Sequence, residues 1–534
     1  MNKKFYVLLT ISTASISCIS HAITFNSLQG KSFFNARSQS EDAARELTGW
    51  HPFIHRFGID KNYACYAFNT GYARSIRANR IAQALFGTDQ LVVSGSMVTN
   101  RGPNDILADY FGLSPAFLAD VHLAPRIQNA FFDFQAFWGL DAWCKGLYVQ
   151  LHAPAVWTEW DLNLTECATD NGSSTPFPAL YMAEDSIAAP VHSFVEALKG
   201  NTTFGQMQDP LRFGKVDGAQ SKGGLSDVQL ALGYDFILRE NGHAGFNLRC
   251  AIPTGSRPKG EYLFEPVVGN GKHWELGVGF SGDVLVWEKD GDQELHFFAD
   301  INATHLFDAR QKRSFDLGEP CDCDDMTNFG SRYILIKEFD ADGNYDGKLA
   351  PLINKTTLPC KVNVSIEVDM VFMFGYTYRD FIFDIGYNGW IRAKERIELD
   401  NCDCRFPSNK YALKGIQDVA LNGGIPSNST QSTATLMGNN FADQNMVSDT
   451  NPPIFITEQD IDPDSAAVPR ALTHKFFAYL GYAWQERAEQ NKVVPFVGLG
   501  SDIEFEGINE RDTEQPNKTT LSQWSFWIKF GISC

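Results

Sequence analysis

The sequence predicts an all-β fold: a transmembrane antiparallel up-and-down β-barrel of about 14 strands, within roughly 12–16. Three observations predict it. The last residues alternate: Trp524, Phe526, Ile528, Phe530 and Ile532 fall on one face, and Gln523, Ser525, Lys529, Gly531 and Ser533 on the other, with Trp527 breaking the pattern. Similar alternation recurs along the chain in segments far longer than the globular mode of about five or six residues. The segments are joined by short turns and long links in alternation, as in a barrel with periplasmic turns on one side and external loops on the other.

Taken in order, residues 1–22 read as a signal peptide. Lys3 and Lys4 form a positive start, Phe5 to Ile19 an apolar core, and Ser20-His21-Ala22 a cleavage site that leaves Ile23 first. Cys18 does not suit lipid attachment, because Ser15 stands where a lipoprotein signal has Leu. Residues 23–60 suit an N-terminal arm, a plug or a first strand. Glu41 to Leu47 reads as a short helix, with Ser38 and Glu41 spaced as a capping box. Residues 61–534 form the barrel.

The strand pairs are Tyr63–Ile76 with Gln90–Val98, Ile127–Leu140 with Leu147–Trp157, and Val228–Leu238 with Ala244–Ile252 across Glu240-Asn241-Gly242, a tight-hairpin signature. Then come Trp274–Val286 with Leu295–Ile301 across Asp290-Gly291, Val362–Phe374 with Phe381–Ile391, and Leu472–Trp484 with Val493–Phe505. Long links fall near 100–125, 159–225, 308–359 and 395–470. With the terminal strand this makes thirteen segments. The last must descend to a periplasmic C-terminus, so the first visible one would descend too. An upstream strand is therefore expected near His51 to Gly58, making about fourteen.

Composition is compatible with this fold. Hydrophobic residues make up 44% of the 534 and mean hydropathy is −0.22, averages in which a barrel's apolar band is diluted by lumen and loops. After residue 22 no apolar run approaches the ~18 residues of a spanning helix. The formal charge is −19, and loss of Lys3 and Lys4 takes it to −21, which argues against nucleic acid as a partner.

In signal peptide, alternating hairpins and terminal aromatic strand, the chain resembles the bacterial outer-membrane porins. The resemblance covers nearly the whole mature chain. It implies an outer-membrane location, contact with lipid, and passive diffusion of small polar solutes or ions. Such barrels usually end in Phe or Trp, which the barrel-insertion machinery reads; here the end is Cys534, so the insertion signal falls to Trp524, Phe526 and Phe530.

Inward positions of the strands would line the pore. The acidic candidates are Asp235, Glu275, Asp283, Asp300, Glu367, Asp369 and Asp384; the basic ones are Arg249, Arg392, Lys394 and Lys529. Rings of one sign decide which ions a pore admits, and the excess of acids predicts mild cation preference. Pairing of these groups as ladders across strands is the alternative. A closed or plugged barrel, acting as a structural envelope protein or adhesin through its long loops, is the second functional reading.

Ten cysteines remain after cleavage, and Cys167, Cys321, Cys323, Cys360, Cys402 and Cys404 fall in predicted loops. Exported loop cysteines most simply form disulfides. Bonds between the two Cys-Asp-Cys triplets or to Cys360 are favoured, a metal site is the alternative, and the connectivity stays open. Cysteine-rich porins of obligate intracellular bacteria, which the chain resembles in this respect, join chains by such bonds, implying a disulfide-linked homo-oligomer beside a non-covalent one. Cys65, Cys250 and Cys534 lie on strands.

No cofactor is expected, with calcium as the exception to consider. Asp342, Asn344 and Asp346, with Asp340 before them, match the opening of a calcium loop, but the twelfth position is Ile353, and a plain acidic turn is the simpler reading. No catalytic motif is present. His152, His243, His273 and His296 are catalytic candidates by residue type alone, and the chain is not expected to be an enzyme.

Overall fold

The computed structural model describes residues 30–99, 101–102, 104–172, 175–177, 189–318, 329–342, 345–400, 407, 409–414, 455–485, 493–507 and 521–534. Twelve antiparallel strands close into a ring: β1 (Tyr63–Ile76), β2 (Arg126–Gly139), β3 (Leu147–Asp161), β4 (Val228–Arg239), β5 (Gly242–Ile252), β6 (Glu275–Lys289), β7 (Gln293–Ser314), β8 (Thr357–Tyr378), β9 (Phe381–Arg392), β10 (Ala471–Ala483), β11 (Val494–Glu506) and β12 (Ser522–Ser533). Each pairs with its neighbour in sequence, and β12 returns to pair with β1, Cys65 opposite Ser533. Two short strands, Gln220–Leu225 on β3 and Glu395–Leu399 on β8, bring the whole sheet to fourteen.

The ring thus has twelve strands, the lower end of the expected range, and the two that bring the sheet to fourteen are not the two expected. The expected strand at Gln90–Val98 is not in it. Only Gln90–Ser94 is extended, and it pairs with Ile106–Leu107 and Leu118–Leu123 in a separate four-stranded sheet that Leu164–Asp170 completes. Leu91 and Val93 of this segment pack with the inner face of a helix at Ala78–Phe86. With this segment outside the ring, β1 ascends and no upstream strand is needed. The strand expected at His51–Gly58 is a single 3-10 turn, His51–Phe53; Pro52 withholds an N–H, and His55 and Gly58 have positive φ, so no ladder forms.

All the short links lie at one end of the ring, with the C-terminus: 140–146, 240–241, 290–292, 379–380 and 484–493. The long links 77–125, 162–227, 253–274, 315–356, 393–470 and 507–521 lie at the other. Between them β7 and β8 run 22 residues each and stay paired beyond the ring, with bulges around Leu306. The described part of the long-link end is a folded cap. Its core gathers Ile81, Leu85, Phe117, Val121, Trp160 and Phe264. A second core surrounds the three-stranded sheet Tyr345–Pro351, Leu335–Phe339 and Tyr411–Leu413.

Outward strand positions carry exposed apolar side chains: Leu480 is 58% and Leu499 59% exposed, and Leu232, Phe246, Val278 and Phe526 continue the band around the ring. Inward positions are mostly polar, aromatic or small, with Val156, Val371, Met373 and Ile382 as aliphatic exceptions. Several inward aromatics stand directly across from a glycine on the next strand: Phe131 from Gly71, Tyr63 from Gly139, Tyr148 from Gly233, Trp527 from Gly500 and Phe496 from Gly531. A Cβ at Gly500 would stand 2.2 Å from the Trp527 indole, so the missing side chain is what lets the ring lie flat on the wall. This explains why Trp527 breaks the terminal alternation: it is an inward residue, fully buried.

Candidate functional site

An acidic inner wall needs counter-charge, and the N-terminal segment supplies it. Residues 30–58 run down the lumen from the long-link end. Lys31 N–H donates to Ala84 O at 3.0 Å and Ser32 N–H to Ser465 O at 2.9 Å, fixing the entry among the cap links. At the far end Arg56 N–H donates to the Tyr63 hydroxyl at 2.9 Å, and the chain turns into β1. At the entry, burial pushes the Lys31 ammonium below the ordinary lysine value, with Asp462 and Asp464 opposing the shift; burial likewise raises the Asp462 carboxyl.

Within the lumen the segment is pinned from nearly every side. Arg37 donates to Asn388 at 2.9 Å and pairs with Glu504 at 3.1 Å and Asp369 at 2.8 Å. A short helix, Ala43–Leu47, follows, starting four residues later than a capping box at Ser38 and Glu41 would give. Ser38 instead donates to Asp227 at 3.1 Å and Glu41 accepts from the Trp390 indole at 3.1 Å. The N-cap is Asp42, which accepts from the Arg45 backbone at 3.1 Å and from Lys475 at 2.9 Å. Arg45 pairs with Asp133 at 2.7 Å and lies over the Phe131 ring at 4.2 Å. Lys529 donates to the carbonyls of Glu46 and Thr48 at 2.9 and 2.6 Å, satisfying orphan acceptors where the helix ends.

Below the helix the character changes. Gly49 N–H and His51 Nε2 both hold Asp384, each at 2.8 Å. Trp50 packs edge-on against Phe137, and Phe53 stacks on Phe496 at 4.9 Å. His55 Nδ1 meets Asp235 at 2.7 Å. Beneath lies a cavity of about 720 Å³, open at the short-turn end and lined in part by His51, His55, His243, Asp283 and His296.

The expected pore-lining residues are therefore gathered, but most face protein. Asp235, Asp369, Asp384, Arg249 and Lys529 contact the N-terminal segment, Arg249 at 3.6 Å from Glu46. Glu367 accepts from Trp390 at 2.7 Å, and Arg392 pairs with Glu395 at 2.8 Å and stands 3.7 Å from Glu367. Glu275 accepts from Asn270 at 2.7 Å, and Asp300 borders a small internal void with Glu46 and Trp50. Asp283 holds both His243 and His296, the latter at 2.6 Å. Lys394 sits at the cap rim, 3.0 Å from Asp464. Sequence reasoning missed Arg37, Asp42, Arg45, Glu46 and His55; the signal that could have found them was the surplus of inward acids itself.

Of the catalytic candidates by type, His152 lies 3.2 Å from Glu46 and 3.7 Å from Asp133, inside the plug–wall contact, and His273 bonds the Phe307 carbonyl at 2.7 Å. Two cysteine expectations are corrected. Cys360 is not in a loop: it is a buried free thiol on β8, where the strand places it in the cap core. Cys167 is an exposed free thiol on Leu164–Asp170, and neither bonds another cysteine among the described residues. Cys321, Cys323, Cys402 and Cys404 lie outside the described residues, as do residues 1–22 and Asn344 of the calcium candidate. Of that candidate, Asp340 accepts from the Asp342 N–H at 3.0 Å, and Asp346 pairs with Lys348.

No protein-family model matches this chain, and no curated protein does. Among solved structures it is similar to an outer membrane channel from Pseudomonas putida F1, at 8% identity and a TM-score of 0.34 over 89% of this chain and 97% of that one. It is also similar to the CymD monoaromatic hydrocarbon channel (10%, TM-score 0.25, 89% and 88%) and to the toluene transporter TbuX of Ralstonia pickettii (8%, TM-score 0.26, 88% and 89%). The likeness is one of barrel architecture.

Proposed function

We propose that this chain is an outer-membrane channel for small polar solutes or ions, exported through a cleaved signal peptide and held closed by its own residues 30–58. The exposed apolar band on the outward strand faces supports a lipid surroundings, since a water-facing protein rarely leaves so large a contiguous patch uncovered. The single observation that carries the channel reading is the chemistry of the plug–wall contact. Its upper part is built of ion pairs, Arg37 with Asp369 and Glu504, Arg45 with Asp133, and Lys475 with Asp42. Water entering the lumen can solvate every one of these groups, so the ion pairs themselves do not bar departure of the plug; what opposes it there is the packing of Ala43, Ala44 and Leu47 against Val371, Met373 and Phe477.

Departure of the plug removes Arg37 and Arg45 from Asp133, Asp369 and Glu504 and leaves an acidic wall. Cation preference is thus a property of the open state. The second reading, a permanently closed envelope protein or adhesin, is favoured by the aromatic seal of Trp50 and Phe53.

Single-channel recording in planar bilayers separates the two. The full chain is expected to be mostly silent, and Arg37→Ala/Arg45→Ala to give frequent steps whose reversal potential reports cation preference. A chain lacking residues 30–58 that keeps its strand signal yet never conducts would sink the channel reading and leave the closed one.

A further inference from the structure

We propose that the short-turn end of the lumen holds a divalent transition-metal site, formed by His55 of the plug with Asp235 and His243 of the wall, and suited to zinc. Each of the three offers a ligand atom, and these atoms lie within 4.8 Å of one another. Zinc holds nitrogen and oxygen ligands at about 2.0–2.2 Å in a tetrahedron, so a closure of about 1 Å, within the reach of side-chain rotation, completes the set. Two imidazoles and a carboxylate suit zinc among the available divalent ions, and they leave a fourth position for water.

Two independent observations point to a ligand. The first is the outer shell. His243 has its Nδ1 on Asp283, which is also held by His296 at 2.6 Å; that carboxylate keeps the ring proton on Nδ1 and presents the His243 Nε2 lone pair, the arrangement that tunes metal-binding histidines. His55 Nδ1 already meets Asp235 at 2.7 Å, so the three donors are His55 Nδ1, Asp235 and His243 Nε2, with the metal replacing the proton shared by the first two. The Nε2 of His243 meets only the Ser281 hydroxyl, at 3.1 Å, a contact a metal would replace. The second is Asp235 itself. It is 5% exposed, and its Oδ1 has no hydrogen-bond partner among the described residues. A buried carboxylate oxygen without a partner costs free energy that an added cation removes.

The His55 and His243 rings lie parallel, 4.0 Å apart with 6° between planes, and His55 reaches this position through a positive φ of 50°. The adjoining cavity, open at the short-turn end, supplies both an entry path and the water ligand. Asp235 and His243 stand on either side of the β4–β5 turn, so a bound ion ties the plug's lower end to that hairpin. This inference needs the plug seated in the lumen, but not the conduction reading.

The test uses the full mature chain refolded in detergent after chelation, titrated with Zn2+ by calorimetry and with Co2+ by visible absorption. One Zn2+ per chain is expected, with the d–d bands of tetrahedral Co2+. His55→Ala and His243→Ala should each weaken binding by about 100-fold or more, and Asp283→Asn, which touches no metal, by about 10–100-fold. His122→Ala, an exposed histidine in the cap, should bind as the unaltered chain does. Strand content by circular dichroism confirms each fold, and His55→Gln serves where an alanine variant fails to refold. Absence of zinc binding to the unaltered chain, or binding indifferent to His55, overturns the site. A barrel that binds zinc and never conducts leaves the site standing and removes only the channel.

Discussion

At the scale of residues, Arg45 and Asp133 show what closure of the lumen demands. The carboxylate is fully buried, and Arg45 is its counter-charge at 2.7 Å. Removing one partner of such a pair leaves an uncompensated buried charge, at about 3–5 kcal/mol. Arg45→Ala should therefore lower the unfolding temperature of the detergent-solubilised barrel clearly, and Arg45→Ala/Asp133→Ala should recover part of the loss; equal loss in both would show that the pair is already hydrated. Gly500 tests a different contact. Gly500→Leu drives a side chain into the space of the Trp527 indole, an overpacking that costs about 1–3 kcal/mol. The expected readout is a lower unfolding midpoint with a shifted tryptophan emission. The inward acids were legible in the sequence, because a polar residue between two apolar ones on a strand can only face the other way. Their partners were not, since Arg37 and Arg45 lie in a segment without period.

At the scale of elements, most ring strands announced themselves. β4 with β5, and β8 with β9, alternate over most of their length because one face meets the apolar surroundings and the other the lumen, a period of two that sequence carries directly. Gln90–Ser94 misled because a short strand buried on both sides in a small sheet carries the same residue types as a membrane strand. The terminal strand carries a prediction of its own. Trp524, Phe526 and Phe530 face outward, each between 37% and 46% exposed, as the expected insertion signal requires. Phe526→Ala/Phe530→Ala should reduce the folded fraction in the outer membrane several-fold, read as heat-dependent gel migration, without lowering the stability of barrel already refolded in detergent by more than a few kcal/mol. Normal assembly would move the signal elsewhere.

At the scale of the whole molecule, the cap, the plug and the open cavity set one direction through the barrel. The long-link end is folded over by two apolar cores, the middle is closed by ion pairs, and the short-turn end opens to a cavity lined by histidines and acids. Raised salt should favour plug departure, because screening weakens the ion pairs once water has entered, whereas an aromatic seal responds little. Opening frequency in bilayers is therefore expected to rise with ionic strength; a frequency that stays flat would place the resistance at Trp50 and Phe53 instead.

The sequence by itself determined the fold class, the hairpins, the alternation of short turns with long links, and which strand residues face inward. Each of these follows from local periodicity and from the steric rule that successive side chains of a strand point to opposite faces. Only the tertiary structure decided that the ring closes at twelve, that residues 30–58 thread it, and that Trp527 belongs to the inner wall. Ring size is set by which strands find a partner on both edges, and the plug is recruited by a buried acidic surface that exists only after closure. Such properties belong to contacts between residues hundreds of positions apart, Arg37 with Glu504 or Asp42 with Lys475, and no window along the chain contains both members.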